Sequence, residues 1–233
     1  FTHDGTHAEY LVVPANGLTL KPTSLSFPLA ASCGVPYTTA YNALRRGGLV
    51  VEDRRLIVIG VGAVGSAAIA LSRILGTERV VAAALEKDVT PALRESDIPI
   101  IILSDAASFV SEAKTHFPGG ADLIFDTTGH WVDASVGAIS DFGRIATIAA
   151  PKDGHVRLPL LDLYRKGGVL VGVNSLLYDV EACAEMLEPI AEAFDTGDMP
   201  PPNPVKEVPL GEAPEIYRAI DAGSTEKIVF AMR

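Results

Sequence analysis

Short apolar runs alternate with helix-like patterns through the middle of this chain. Leu56-Ile57-Val58-Ile59 is a continuous apolar run, which is typical of a strand buried on both faces. Between such runs the apolar residues follow helical spacing. The predicted strands are 56–59, 79–85, 98–103, 121–125, 144–149 and 169–173, and the predicted helices are 65–75, a short one starting near 88, 105–117 and 131–142. This alternation predicts an α/β fold with a doubly wound, parallel, six-stranded sheet and right-handed crossovers.

The two ends of the chain have other patterns. Residues 8–14 predict a short strand that stops at Pro14, and residues 29–44 predict a helix that Gly47 and Gly48 terminate. Beyond the sixth strand we predict a helix over 179–193, a stiff proline-rich connector over 199–204, a helix over 213–222 and a last strand over 227–232.

Composition excludes several classes of protein. The 233 residues are 48% hydrophobic and 21% charged, which is enough apolar material for one large domain or two small ones. The net charge is −10, and basic clusters are no longer than pairs such as Arg54-Arg55, so nucleic acid is not an expected partner. Glycines interrupt the apolar zone over 56–75, so we expect no membrane span.

The cysteines and the first residue bear on location. Cys33 and Cys183 are too few for a disulfide framework and suit a reducing compartment, so a cytoplasmic location is expected. The chain starts at Phe1 and shows no signal-peptide pattern, and we expect further residues upstream of it.

One glycine motif predicts a dinucleotide site. Gly60-Val61-Gly62-Ala63-Val64-Gly65 matches G-x-G-x-x-G, follows a buried strand and opens a helix. Gly60 permits the tight turn, Gly62 lets the backbone approach a pyrophosphate, and Gly65 lets the helix pack on the strand. The N–H groups of Ala63 and Val64 then point at the phosphates. The alternative is a glycine-rich turn without a ligand.

The end of the second strand bears on the choice of cofactor. An acidic residue about 20 positions after the first glycine holds the ribose of NAD, but Ala84 and Leu85 stand there. Lys87 is a candidate for a 2′-phosphate and Glu86 for a ribose hydroxyl, unless both lie in a solvated turn. Leu85, at the same strand end, is a further candidate for contact with the cofactor. The sequence favours NADP(H) over NAD(H) and leaves the choice open.

Further candidate residues follow the later strands, where open α/β sheets bind ligands. They are Thr127 and Gly129 after the fourth strand, Ala149 after the fifth and Asn174 after the sixth. Asn174 is also a common turn former, which is the alternative explanation for it.

Several separate stretches together resemble the medium-chain dehydrogenase/reductase superfamily, which includes zinc alcohol dehydrogenases and quinone oxidoreductases. Residues 5–14 resemble its G-x-x-A-E-Y-x-x-V-P strand, and residues 39–44 its T-A-Y-x-A-L helix. The other matching stretches are 60–65, 125–129, 143–144 and 208–218.

The resemblance implies a domain organisation. Family members have an upstream catalytic domain, a GroES-like β-barrel, most of which this sequence lacks. By resemblance, residues 1–30 are the remnant of that domain, residues 31–204 the NAD(P)-binding Rossmann domain, and residues 205–233 a tail that returns to the catalytic domain.

The resemblance also bears on metal. In the zinc enzymes a cysteine ligand lies six residues before the tyrosine of the T-x-Y stretch, and Val35 stands there relative to Tyr41. Cys33 is displaced by two positions, and two cysteines cannot form a four-cysteine site. No zinc is expected in this chain.

The first functional hypothesis is a zinc-independent, NAD(P)H-dependent oxidoreductase that transfers hydride to a quinone or to an activated C=C or carbonyl group of a small molecule. By resemblance, Thr39, Thr127 and Ile148 lie near the nicotinamide. Thr39 or Tyr41 could assist as a hydroxyl donor to developing negative charge, and Thr39 is the candidate catalytic residue unless it only packs within its helix. The alternatives are a zinc alcohol dehydrogenase whose metal site lies upstream, and a non-catalytic NAD(P)H-binding or redox-sensing module.

A homodimer is the expected assembly. The sixth predicted strand, 169–173, is apolar on both faces and would end the sheet, which exposes unpaired backbone groups. Pairing with its two-fold mate would cover that edge. The alternative is a monomer in which a helix or the connector over 200–204 caps the edge.

Overall fold

The computed structural model describes residues 5–49, 54–77, 79–224 and 226–232. The chain divides into two compact units, one over 39–175 and the other formed by 1–38 together with 176–233. The residues that resemble the two remnants of a barrel domain, 1–30 and 205–233, both belong to the second of these units. The domain boundaries at 31 and 204 stay a prediction. They refer to the domains of the resembled family, whereas the two units are defined by how compactly the chain packs.

The unit over 39–175 contains the parallel sheet that the apolar runs predict. Its strands are β1 (Leu56–Ile59), β2 (Val80–Ala84), β3 (Ile100–Ile102), β4 (Ala121–Asp126), β5 (Ile139–Thr147) and β6 (Val169–Gly172). Their order is β3-β2-β1-β4-β5-β6, and each neighbouring pair is parallel. The strand order reverses between β1 and β4, which is where Rossmann-type sheets bind their ligands.

Helices cover both faces of this sheet, so the strands are buried on both sides. The helices are the part of α2 (Gly34–Arg46) beyond residue 38, α3 (Ala63–Ile74), α4 (Pro91–Arg94), α5 (Ala106–His116), α6 (Val132–Ala138) and α7 (Leu160–Arg165). Every residue of β1 is fully buried, as its unbroken apolar run predicts. Asp105 caps α5 by accepting hydrogen bonds from the N–H groups of Ala107 and Ser108.

The predicted helix over 131–142 is wrong in its second half. Helix α6 ends at Ala138, and residues 139–142 belong to β5. Ile139 pairs with Ala121, and the backbone of Phe142 has a positive φ of 58°, which ends any helical run there. The short helix α7 has no counterpart in the prediction.

The other unit contains two corrections. The predicted strand over 8–14 is absent: these residues form no strand, and the side chains of Tyr10 and Val12 are exposed because no neighbouring strand pairs with them. The predicted helix over 29–44 is two helices, α1 (Phe27–Ala31) and α2, interrupted at Ser32 and Cys33.

The rest of this unit follows the prediction more closely. It contains α8 (Val180–Thr196), β7 (Lys206–Pro209), α9 (Ala213–Asp221) and β8 (Ile228–Ala231). Of these, β7 has no counterpart in the prediction. The Asp179 carboxylate caps α8, and Gly197 ends it in the left-handed conformation. Strands β7 and β8 form a two-stranded parallel sheet. Within the described parts of the chain, no helix has the length and apolarity to cross a membrane.

Strand β6 is the outer strand of the six-stranded sheet on the β5 side. The side chains of Val169 and Leu170 are more than a third exposed, and Leu160, Leu161 and Tyr164 of neighbouring α7 are exposed as well. An exposed apolar edge of this kind favours association. We propose that two copies of the chain pair through β6.

Val171→Lys is expected to shift the protein from dimer towards monomer, because the charge would enter the joint between the two β6 strands. Light scattering at micromolar concentration measures this shift. Ser111→Lys, which adds the same charge on an exposed position of α5, is the control and is expected to stay dimeric. A wild-type mass of one chain, 24.5 kDa, would contradict the proposal and show that the β6 edge is not covered by a second copy.

Candidate functional site

The turn after β1 needs a glycine at its first position. Gly60 has a φ of 85°, a left-handed conformation that side chains disfavour. A Cβ atom there would also stand 2.3 Å from the Thr127 hydroxyl oxygen. The Gly60 N–H donates to the carbonyl of Ala83, 2.8 Å away, so the turn begins beside the end of β2.

The third glycine of the motif lets helix α3 start directly on the strand end. A Cβ atom on Gly65 would lie 1.8 Å from the carbonyl oxygen of Gly60, which no side chain can satisfy. Gly65 is buried. The contact therefore brings the first turn of α3 against the end of β1, as the motif predicts.

The middle glycine, in contrast, faces open space. No heavy atom lies within 4 Å of the position that a Gly62 Cβ would take, and φ is −66°. Gly62 is the N-cap residue of α3 and offers no side chain to the helix. The first intrahelical bond runs from Ser66 N–H to the Gly62 carbonyl, so the N–H groups of Ala63, Val64 and Gly65 lie ahead of it. This open helix start fits a pyrophosphate.

A buried carboxylate organises the loop after β4. Asp126 is fully buried. Its Oδ1 atom accepts hydrogen bonds from the N–H groups of Thr128 and Gly129 and from the Thr128 hydroxyl, at 2.8–3.0 Å, and Oδ2 accepts from the Trp131 N–H at 2.9 Å. Sequence analysis did not single out Asp126. The sequence signal that could have identified it is an Asp directly before Thr-Thr-Gly. In such turns an aspartate side chain commonly accepts hydrogen bonds from the backbone N–H groups that follow it.

Three strand ends and their loops come together at this edge of the sheet. The Thr127 N–H and hydroxyl both donate to the carbonyl of Ile59 at the end of β1, at 3.0 and 2.8 Å. Gly129, with a φ of 73°, approaches so closely that a Cβ would stand 2.3 Å from the Ala149 carbonyl oxygen. Asp126 pairs with Thr147, so Thr127 and Ile148 follow neighbouring strand ends. The structure thus brings Gly60, Thr127, Gly129, Ile148 and Ala149 together.

Three candidate residues lie towards the two sides of this edge. Asn174 is exposed and lies two residues beyond the end of the outer strand β6. On the opposite side, Leu85 and Lys87 are exposed beyond the end of β2, Lys87 in a 3-10 helix over Glu86–Asp88. Because Ile59 pairs with Ala83, this second group stands next to the glycine turn.

Thr39 has a buried hydroxyl that no group satisfies. Its side chain is 5% exposed, and its Oγ1 atom has no hydrogen-bond partner among the described residues. The adjacent Thr38 shows the usual arrangement, because its hydroxyl donates to the Gly34 carbonyl 2.8 Å away in the preceding turn. An unsatisfied buried hydroxyl is costly.

The described residues do not form a zinc site. They contain no group of three or more His, Cys, Asp or Glu side chains placed to hold a metal ion. Burial raises the pKa of the Cys33 thiol to about 11, against a smaller opposite effect of Ser32, which disfavours the thiolate that zinc needs. The expectation of no zinc stays a prediction.

The chain is similar to a known protein family and to individual known proteins. The model of the family described as zinc-binding dehydrogenase matches residues 63–192, from the start of α3 into α8. A zinc-type alcohol dehydrogenase-like protein of Schizosaccharomyces pombe, C337.11, is 32% identical over 201 residues, which cover 84% of this chain and 58% of that protein.

Two further relatives match nearly all of this chain but differ in how much of their own length is matched. The reducing polyketide synthase hmp8 of Hypomyces subiculosus is 31% identical over 234 residues, 94% of this chain but 10% of the synthase. A solved NAD-dependent alcohol dehydrogenase is 25% identical with a TM-score of 0.81, covering 98% of this chain and 66% of that one. The chain therefore spans less than two thirds of the length of these relatives.

Gly62→Val is expected to weaken NADPH binding at least about 30-fold, or about 2 kcal/mol, because a branched side chain would fill the space in front of the α3 N–H groups. Fluorescence titration with NADPH measures it. Gly211→Val is the matched control, since a Cβ there also meets nothing within 4 Å, and it should bind like the wild type. Equal affinity of the Gly62 variant would contradict the assignment.

Proposed function

The chain belongs to the zinc-binding dehydrogenase family of the medium-chain dehydrogenase/reductase superfamily, and from this membership we propose that it is an NAD(P)H-dependent oxidoreductase. We propose that it transfers hydride to a quinone or to an activated C=C or carbonyl group of a small molecule. The observation that supports this most is the open space in front of Gly62. The other two glycines of the motif, Gly60 and Gly65, tolerate no side chain at all.

Each part of the cofactor has candidate contacts on this chain. The N–H groups of Ala63 and Val64 would bind the pyrophosphate at the start of α3. Leu85 and Lys87 would contact the adenosine half at the end of β2. Residues at the ends of β4, β5 and β6 would contact the nicotinamide half; these are Thr127, Gly129, Ile148, Ala149 and Asn174. The bound cofactor supplies the hydride, and the protein orients it and excludes water.

Thr39 is the proposed donor to the developing negative charge on the reduced substrate. Gly47, at the end of α2, packs on Leu123: its Cβ position is 2.7 Å from a Leu123 methyl carbon. Thr39 precedes Gly47 by eight helical residues, about 12 Å, and Thr127 follows Leu123 by four strand residues, about 13 Å. We propose that α2 runs antiparallel to β4, which would place Thr39 and Thr127 at a similar height above the start of the strand.

The reductive direction and NADP(H) are the finer parts of this proposal. The synthase relative that matches 94% of the chain is named a reducing enzyme, which supports reduction. Ala84 in place of an acid, together with Lys87, favours NADP(H), although the solved alcohol dehydrogenase with 25% identity is NAD-dependent.

A zinc-dependent alcohol dehydrogenase is the second candidate, because the Schizosaccharomyces pombe relative is named a zinc-type protein. Elemental analysis of the full-length protein, after dialysis against a weak chelator, separates the two candidates. We expect no zinc, and close to one zinc per chain would favour the second.

We also propose a cytoplasmic location. Cys33 and Cys183 are both free thiols, which fits a reducing compartment.

Thr39→Val is expected to lower kcat at least about tenfold, the loss of about 1.4 kcal/mol of transition-state stabilisation, without changing the Kd for NADPH. The variant also removes an unsatisfied buried hydroxyl, so its free energy of unfolding should stay equal or rise. NADPH consumption at 340 nm with quinone, enone and aldehyde acceptors measures the rate.

Thr38→Val is the control for this experiment, because the Thr38 hydroxyl is already bound to a helix carbonyl; it should leave kcat within a factor of about three. Unchanged turnover in the Thr39 variant would remove its proposed role. Tight NADPH binding with no consumption by any acceptor would favour the non-catalytic module instead.

A further inference from the structure

An ion pair lies beyond the end of β2, where the adenosine ribose of the proposed cofactor would bind. The Arg94 guanidinium, at the last residue of α4, is in contact with the Glu86 carboxylate, and both side chains are about half exposed or more. Glu86 lies two residues beyond Ala84, the end of β2. In Rossmann-type sheets the residue at that strand end stands beside the ribose 2′ position.

The segment that holds Arg94 is fixed to the glycine turn by apolar packing. Val89 precedes α4 and Leu93 lies within it. Both pack against a buried cluster that contains Val61, Ala82 and Ala84. Val61 is the residue between Gly60 and Gly62. The Thr90 hydroxyl caps α4 by accepting from the Leu93 N–H at 3.2 Å. Arg94 therefore occupies a defined position relative to the proposed pyrophosphate site and not a loose loop.

The chemistry of this position suits a phosphate. Buried Ala84 offers no carboxylate to hold a ribose 2′-hydroxyl. A guanidinium binds phosphate through two parallel hydrogen bonds, whereas an ammonium such as that of Lys87 acts as a point charge. An exposed ion pair contributes little stability, so Arg94 can exchange its Glu86 contact for a stronger one at small cost.

We propose that Arg94 is the residue that selects NADP(H), by binding its 2′-phosphate, and that Glu86 holds the guanidinium in place while the site is free. This inference rests on the dinucleotide site proposed above. Lys87 adds a second positive charge, while Asp88, Glu95 and Asp97 lie nearby in sequence and oppose it. The discrimination between the two cofactors therefore depends on the directed contact of Arg94 and not on the general charge of the segment.

The test uses two nucleotides that differ only in the 2′-phosphate, adenosine 2′,5′-bisphosphate and adenosine 5′-monophosphate. Calorimetric titration of the whole protein gives the ratio of their dissociation constants. Arg94→Ala is expected to lower the preference for the bisphosphate at least tenfold and to leave the monophosphate affinity unchanged. Glu86→Gln is expected to raise the preference severalfold, because it frees the guanidinium. Arg73→Ala, which removes an exposed arginine from the far end of α3, is the control.

The outcomes separate this inference from the function on which it rests. If the wild type binds both nucleotides and Arg94→Ala keeps the wild-type ratio, the assignment of Arg94 is wrong and the dinucleotide site stands. The ratio of the dissociation constants could instead fall in Lys87→Ala and stay unchanged in Arg94→Ala. That result would assign the 2′-phosphate contact to Lys87 and overturn the assignment of Arg94. If the wild type binds neither nucleotide nor NADPH, the proposed function fails and the inference fails with it.

Discussion

The approach of Gly65 to the carbonyl oxygen of Gly60 is the contact on which the rest of the site depends. With 1.8 Å between that oxygen and the place of a Cβ, only glycine lets helix α3 begin at the very end of β1. The helix start then faces the carboxyl edge of the sheet with its first N–H groups unobstructed. A larger residue at position 65 would push the start of α3 away from the end of β1 and displace these N–H groups.

A second set of contacts makes this edge stiff. The Ile59 carbonyl accepts two hydrogen bonds from Thr127, so the loop after β4 is tied to the glycine turn. Asp126 then ties that loop to itself through four hydrogen bonds. Thr127 is expected near the nicotinamide by resemblance, but its hydroxyl already serves the fold. Its proposed contribution to binding is to place the loop and present its backbone and methyl group.

Much of this could be predicted from the sequence, because the determinants are local. The unbroken apolar run of β1 predicts a doubly buried strand, and the glycine spacing after it predicts the turn and the helix start. The failures have a non-local cause. Residues 8–14 have the composition of a strand but no strand to pair with, and residues 139–142 fit a helix until Ile139 pairs with Ala121. The role of Asp126 and the proposed role of Arg94 depend on contacts that only the folded chain shows.

The central claim is that a dinucleotide lies across the carboxyl edge of this sheet with its pyrophosphate at the start of α3. A crystal structure of the protein with NADPH tests it most directly. The account predicts pyrophosphate oxygens within hydrogen-bond distance of the Ala63 and Val64 N–H groups, with the nicotinamide beyond the ends of β4 and β5. A pyrophosphate bound elsewhere, or a crystal soaked at saturating NADPH that shows no nucleotide at an accessible α3 start, would contradict it.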